Sequence, residues 1–61
     1  MNKLYIEKRK KGEYEYSALV FDAGYKKVVL SIDTLTICIV AGFTPAELDN
    51  IKLNEKKYIK Y

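Results

Sequence analysis

Carboxylates are the first residues of this 61-residue chain that could take part in catalysis. Glu7, Glu13 and Glu15 are close in sequence, and Asp22 and Asp33 follow them. A carboxylate pair can act as general acid and base, but that mechanism needs a cleft, and the short loops of this chain cannot build one. The chain has no histidine, the commonest general base and zinc ligand. We therefore expect a protein that is not an enzyme and that has no metal site and no cofactor.

The single cysteine, Cys38, lies in the longest apolar run, residues 37–43. It cannot form an internal disulfide, and a thiol buried among apolar side chains is inert, so we expect it to belong to the core. The hydrophobic share of 49% indicates a globular chain. The apolar run is far shorter than the ~20 residues of a membrane span, and no signal-peptide core follows Met1. The expected location is the cytoplasm, and no membrane partner is expected.

A basic run near the N-terminus indicates a different kind of chemistry, the binding of phosphate. The run consists of Lys8, Arg9, Lys10 and Lys11. Four tyrosines that could stack on bases are interleaved with charged residues, namely Tyr5, Tyr14, Tyr16 and Tyr25. A charged hairpin tip is usually only solvated, however, and tyrosine is common in strands. The net charge of +3 is a mild excess, so nucleic-acid binding is the alternative function and not the leading one.

Alternating apolar and polar residues predict three strands, over residues 3–9, 13–21 and 25–32. The links Lys10–Gly12 and Asp22–Gly24 suit three-residue hairpin loops in which the glycine is left-handed. Three strands joined in this way form an antiparallel meander.

The predicted loop lengths decide which side chains share a face of the sheet. They place Phe21 opposite Tyr25, and Glu7 opposite Glu15. The second pairing is unfavourable, so a one-residue slip in the first loop remains an alternative. One face, which helices would cover, carries Leu4, Ile6, Tyr14, Tyr16, Ala18, Val20, Val28, Leu30 and Ile32. The other face mixes charged residues with an apolar cluster of Tyr5, Leu19, Phe21, Tyr25 and Val29.

Residues 33–41 are predicted as a helix, with Ser31 or Asp33 as its N-terminal cap and Gly42 as its C-terminal cap. The β-branched, alternating sequence TLTICIV leaves a buried strand open as the alternative. As a helix the segment is apolar nearly all round, and one small sheet cannot cover all of it. A second subunit is therefore expected.

Thr44 and Glu47 form a capping box, with Pro45 at the first position of a second helix that runs to about Ile51. Residues 56–61 are predicted as a possible fourth strand at an edge of the sheet.

Residues 34–51 resemble a helix-turn-helix in their packing positions. The matching residues are Ile37, Cys38, Ala41, Gly42, Leu48 and Ile51. That family reads DNA with exposed positions of the second helix, which here are Ala46, Glu47, Asp49 and Asn50. Two carboxylates at these positions would repel phosphate, so we interpret the segment as a structural corner.

The wider pattern, YIEKRKKGEYEYSALVFDAGYKKVVLS followed by AGFTPAEL, resembles small accessory proteins of phages and mobile elements of low-GC Gram-positive bacteria. The resemblance implies a protein of the host cytoplasm that binds a host protein, a nucleic acid or a signalling nucleotide. For some such proteins it implies a role against host defence.

The expected protein is therefore one α+β domain over residues 1–61, a three-stranded meander with a fourth edge strand, packed against two short helices. We expect a homo-oligomeric, non-catalytic binder that sequesters or inhibits a host protein or an anionic nucleotide. The expected contacts with ligand or partner are Tyr5, Arg9, Phe21, Tyr25 and Lys27. In the alternative, a small nucleic-acid-binding protein uses the sheet tyrosines and the hairpin-tip residues Lys8, Arg9, Lys10 and Lys11.

Overall fold

A computed structural model describes residues 2–59, which form one four-stranded antiparallel sheet with two short helices. The elements in chain order are β1 (Lys3–Lys11), β2 (Tyr14–Asp22), β3 (Lys27–Ser31), α1 (Thr34–Ala41), α2 (Pro45–Asp49) and β4 (Lys56–Ile59). The strand order across the sheet is β3-β2-β1-β4. The α+β class, the antiparallel meander and the C-terminal edge strand are confirmed. Positions 60 and 61, which were predicted to continue that strand, lie outside the described residues.

Helix α1 begins and ends where the capping residues predict, which decides against the alternative of a buried strand. The carboxylate of Asp33 accepts a hydrogen bond from the Thr36 backbone N–H at 3.0 Å and one from the Thr36 hydroxyl at 2.8 Å. At the other end Gly42 has a φ of 72°, and its N–H bonds to the carbonyl of Cys38. Glycine reaches this left-handed conformation without steric cost.

The predicted capping box of α2 is confirmed. The Glu47 backbone N–H donates to the Thr44 hydroxyl at 3.2 Å, and the Thr44 backbone N–H donates to the Glu47 carboxylate at 3.0 Å. Pro45 occupies the first turn. The helix ends at Asp49, two residues earlier than predicted, because the Ile51 N–H bonds to the carbonyl of Leu48 in a tighter turn.

Both hairpin loops differ by one residue from the predicted length, and the predicted register is therefore wrong. The first loop has two residues and pairs Lys11 with Tyr14, so the alternative of a one-residue slip in this loop is confirmed. The second loop, residues 23–26, has four and pairs Asp22 with Lys27. Side chains alternate between faces with a period of two, so each one-residue change moves all of β2 to the opposite face relative to its neighbours.

The corrected register sends aliphatic residues of β2 beneath the helices and its tyrosines to the other face. Leu19 pairs with Ile6, and Phe21 pairs with both Leu4 and Val28. The apolar cluster predicted around Leu19 and Phe21 is consequently not formed. Four residues predicted to lie beneath the helices lie on the opposite face instead, namely Tyr14, Tyr16, Ala18 and Val20. Tyrosine suits that face because its ring can pack while its hydroxyl reaches water.

The main core lies between the sheet and the helices. It is built from Ile6, Leu19, Ile37, Leu48 and Ile51, which are all buried. Cys38, which was predicted to be buried, is partly exposed and packs against this cluster. Each fully buried aliphatic side chain contributes roughly 1.5–3 kcal/mol to the stability of the fold.

A second, smaller cluster lies on the side of the sheet that carries no helix in the described part of the chain, which we call the open face. Its buried members are Tyr5, Ala18 and Val20, with Tyr16 packed against them. The side chains of the strands themselves cover this cluster.

Candidate functional site

The first candidate surface consists of apolar side chains along β3, α1 and the turn between them. We call it the β3–α1 surface and define it by Val28, Leu30, Ile32, Leu35, Ile39 and Val40, all of which are exposed. Ile39 is 74% exposed and Leu35 is 69% exposed. The only buried residue of α1 is Ile37. Isolated apolar residues are normal on a protein surface, whereas these six exposed apolar side chains all lie within residues 28–40.

The β3–α1 surface is almost free of charge. Between residues 28 and 44 the only charged side chain is Asp33, whose carboxylate caps α1. Helix α1 has no acidic residue in its first turn and no basic residue in its last. The surface therefore has no charge pattern with which to attract a charged ligand.

The two edge strands of the sheet, β3 and β4, differ in charge. After Lys27, β3 carries no charge, and it is bent by a bulge between Val29, which pairs with Val20, and Ser31. Strand β4 instead begins with Lys56 and Lys57. Lysines on an edge strand discourage pairing with another chain. On β3 such protection is limited to Lys27 at the start of the strand and to the bulge.

The second candidate surface is the open face, which is rich in tyrosine. It carries Tyr5, Tyr14, Tyr16 and Tyr58. The rings of Tyr5 and Tyr58 meet edge to face with centroids 5.4 Å apart, and those of Tyr14 and Tyr16 are stacked at 6.2 Å. Tyr5 is only 2% exposed, whereas Tyr14 and Tyr58 are 71% and 57% exposed. Tyr5 therefore supports the surface, whereas the rings of Tyr14 and Tyr58 are largely accessible to a ligand.

The open face is also basic, whereas the remainder of the described chain is slightly acidic. Five cationic side chains share the open face, namely Lys3, Arg9, Lys11, Lys27 and Lys56. They are accompanied there by two carboxylates, Glu7 and Asp22. The other described residues contain five lysines and six carboxylates. The open face is thus more positive than the rest of the described chain.

Three of these cations contact other side chains of the open face, either a carboxylate or a tyrosine ring. Arg9 donates from Nε to Oε1 of Glu7 at 2.9 Å, and this hydrogen bond is the main reason that the pKa of Arg9 is raised above its usual value. The Nζ atom of Lys3 lies 5.6 Å from the ring centre of Tyr58, and that of Lys56 lies 5.5 Å from the ring centre of Tyr5. Cations over aromatic rings at this distance are attracted by the ring face.

The structure brings together only part of the predicted ligand site. Tyr5, Arg9 and Lys27 share the open face. Phe21 lies on the helix side, and Tyr25 lies in the second hairpin loop, 91% exposed. Whether these residues bind a ligand stays a prediction.

The basic run is divided between the two faces of the sheet. Arg9 and Lys11 lie on the open face, whereas Lys8 and Lys10 lie on the helix side. Lys8 is only 8% exposed. The run therefore does not form one phosphate grip.

The predicted ligand site left out three open-face residues, Lys3, Lys56 and Tyr58, although the predicted alternation already placed Lys3 on the face of Tyr5. For Lys56 and Tyr58 the signal was the alternation of residues 56–59. It could be used only with the pairing of β4 to β1, in which Tyr58 faces Tyr5.

Four of the carboxylates have structural roles. Asp33 and Glu47 cap helices, Glu7 pairs with Arg9, and Asp22 accepts a hydrogen bond from the N–H of Gly24 at 2.8 Å. A shallow pocket of about 180 Å³ is lined by Phe43, Glu47, Asn50, Ile51, Glu55 and Lys57. It is smaller than the ~300–1,000 Å³ of ordinary ligand pockets. Within residues 2–59, no three His, Cys, Asp or Glu side chains are grouped so as to hold a metal ion.

The α1–α2 corner has the exposure pattern expected from its sequence. Leu48 and Ile51 are buried, whereas Glu47, Asp49 and Asn50 are exposed. If α2 were to read DNA, it would present the carboxylates of Glu47 and Asp49 to the phosphates, which they repel.

In the described part of the chain neither helix is long and apolar enough to cross a membrane. Comparisons with known proteins found no matching family model, no similar curated protein and no similar solved structure.

Proposed function

We propose that this chain is a small, non-catalytic binding protein that works as a homo-oligomer and sequesters or inhibits another molecule. The observation that supports the proposal is the β3–α1 surface, with six exposed apolar side chains in a segment that carries one charge. Covering such side chains releases about 25 cal/mol for each Å² removed from water. In the proposed assembly a second copy of the chain covers this surface.

A second copy suits the surface better than a charged partner does. In a two-fold contact the same patch meets itself, so an uncharged patch brings no like charges together. The β3 edge also offers free backbone groups to a second β3, whereas the lysines of β4 oppose pairing at the other edge. Stable interfaces bury about 800 Å² on each partner, roughly a sixth of the 4562 Å² accessible on this chain.

The structural roles of four carboxylates support binding rather than catalysis, because those groups are already engaged in caps, turns and an ion pair. In the phage or mobile-element setting that the sequence resemblance implies, the sequestered molecule is a host protein or an anionic nucleotide. The oligomer, and not the single chain, is the active form in this proposal.

Light scattering coupled to size-exclusion chromatography tests the oligomer over a range of concentrations. The expected mass is a multiple of 7.1 kDa. Ile39→Lys should return the protein to a monomer, because it places a charge within the proposed contact. The matched control is Leu53→Lys, which puts the same charge at an apolar position outside the surface that is 40% exposed.

Ile39 is 74% exposed, so its substitution should leave the fold of the single chain intact, which circular dichroism checks. A wild-type protein that stays monomeric at every concentration would contradict the proposal. So would an Ile39→Lys variant with an unchanged mass.

A further inference from the structure

The open face combines two features that occur together on surfaces that bind single-stranded nucleic acid. It has a basic character, with five cations and two carboxylates, and it has exposed tyrosine rings between them. Such proteins hold the phosphate backbone with cations and stack successive bases on aromatic side chains. We propose that the open face of this sheet is a binding site for single-stranded nucleic acid.

The positive charge of the open face is the first feature that supports this site. A polyanion is attracted more to the open face than to the rest of the described chain, where six carboxylates, among them Glu47 and Asp49 of α2, balance five lysines. This difference orients the chain on a strand before any close contact forms. Lys11 and Lys56 are both exposed on the open face, Lys11 at the end of β1 and Lys56 beside Glu7 at the middle of β1, four residues away along the strand.

The spacing of the exposed tyrosine rings is the second feature that supports this site. Tyr58 lies beside Tyr5 of β1, and Tyr14 lies beside Lys11 of β1, six residues further along the strand. Six residues of strand span roughly 20 Å, so the two rings mark a track long enough for several nucleotides. Tyr16 stacks on Tyr14 and keeps that ring in place. Bases in a duplex are already stacked and cannot reach these rings, which favours a single strand.

This site differs from the phosphate-binding hairpin tip that the sequence predicts at residues 8–11. Lys8 and Lys10 of that basic run lie on the helix side and are not part of the open face. It is also separate from the β3–α1 surface, so it does not rest on the proposed oligomer.

The alternation of strand residues provides a matched pair of variants. Lys11→Glu with Lys56→Glu reverses two charges on the open face. Lys10→Glu with Lys57→Glu makes the same substitutions at the neighbouring positions, whose side chains lie on the helix side. The two double variants have the same composition and the same net charge.

Fluorescence anisotropy with labelled oligo(dT) and oligo(U) of about a dozen nucleotides measures the binding. The wild-type affinity should fall as salt rises, because phosphate contacts release counterions. The open-face double variant should bind about tenfold more weakly or worse, and the helix-side double variant should stay within about threefold of the wild type. Circular dichroism checks that both variants fold.

A second measurement separates base stacking from simple attraction to a polyanion. Tyr58→Leu and Tyr14→Leu should each weaken single-strand binding by at least about fivefold. Heparin has charge but no bases, so its binding should be unchanged in both variants. A duplex of the same sequence should bind more weakly than the single strand.

Several results would overturn the proposal. One is the absence of oligonucleotide binding to the wild type at about 50 mM salt, where phosphate contacts are strongest. Others are equal losses in the two double variants, or heparin, duplex or anionic vesicles bound as tightly as the single strand. The monomeric Ile39→Lys variant should still bind, so a failed oligomer and a failed nucleic-acid site give different results.

Discussion

The two helices are neighbours on the same side of the sheet, yet they meet solvent in opposite ways. Helix α2 turns Leu48 into the core and presents Glu47 and Asp49 to water. Helix α1 buries only Ile37 and presents Leu35 and Ile39. The charged outer face of α2 is suited to water, whereas the apolar outer face of α1 is suited to another protein surface.

Local signals do not explain this difference, because both helices are well capped. Asp33 caps α1, and Thr44 and Glu47 form the capping box of α2. The difference lies in the side chains away from the core. The apolar content of α1 exceeds what the described four-stranded sheet covers, and in the proposed assembly a second copy of the chain covers the rest.

The largest expected effect on stability distinguishes two isoleucines of α1, one buried and one exposed. Ile37 is fully buried in the main core, so Ile37→Ala should lower the free energy of unfolding by about 2–5 kcal/mol. Ile39 is 74% exposed, so Ile39→Ala should change the stability of the single chain by no more than about 0.5 kcal/mol. Urea unfolding at a concentration low enough to give monomers measures both. The loss in Ile37→Ala is a large part of the total stability of so small a domain.

Ile39→Ala is the matched control for Ile37→Ala, and its stability can contradict the assignment of Ile39 to an uncovered surface. If Ile39→Ala costs as much as Ile37→Ala in the monomer, α1 is covered on both sides within its own chain. The β3–α1 surface would then need no partner. At higher concentration the stability of Ile39→Ala should fall below that of the wild type, because only the wild type gains from assembly.

A smaller effect is expected at the cap of α2. Thr44→Ala removes the acceptor of the Glu47 N–H and should lower the free energy of unfolding by about 1 kcal/mol. Thr44→Ser keeps the hydroxyl and should stay close to the wild type. Chemical unfolding of the two variants measures the difference, and equal losses would mean that the threonine methyl group, not the cap, holds this corner. The mass of the oligomer should not change in either variant, since the cap of α2 lies outside the β3–α1 surface.

Elements specified by nearby residues could be predicted from the sequence. The caps at Asp33, Gly42 and Thr44 fixed the bounds of α1 and the start of α2, because each acts on backbone groups within a few residues. The strands were also found, to within two residues at most ends. The apolar excess of α1 follows from its residue types alone, and the exposed side chains of Leu35 and Ile39 show where on the helix that excess lies.

The register could not be predicted, and with it the composition of the candidate site. A loop of two, three or four residues is compatible with the glycines at 12 and 24, and each change of one residue reverses a face. The error exchanged Leu19 and Phe21 with Ala18 and Val20 beneath the helices. The open face depends on this register and on the long-range pairing of β4 with β1, which no local pattern encodes.

The smallest expected effect concerns Asp33, the charged residue that caps α1. The Thr36 hydroxyl, and after it the Thr36 backbone N–H, hydrogen-bond to its carboxylate and lower the pKa of Asp33 below its ordinary 3.8. A carboxylate with a lowered folded-state pKa stabilises the fold at pH values above its unfolded-state pKa, and this contribution is lost as the pH falls through the folded-state pKa. Asp33→Asn keeps an oxygen that can cap the helix but does not titrate. The stability advantage of the wild type over Asp33→Asn should therefore shrink on acidification from neutral pH to below the ordinary aspartate pKa, as thermal unfolding of both proteins would show. A difference that stays constant over this range would mean that the charge of Asp33 does not stabilise α1.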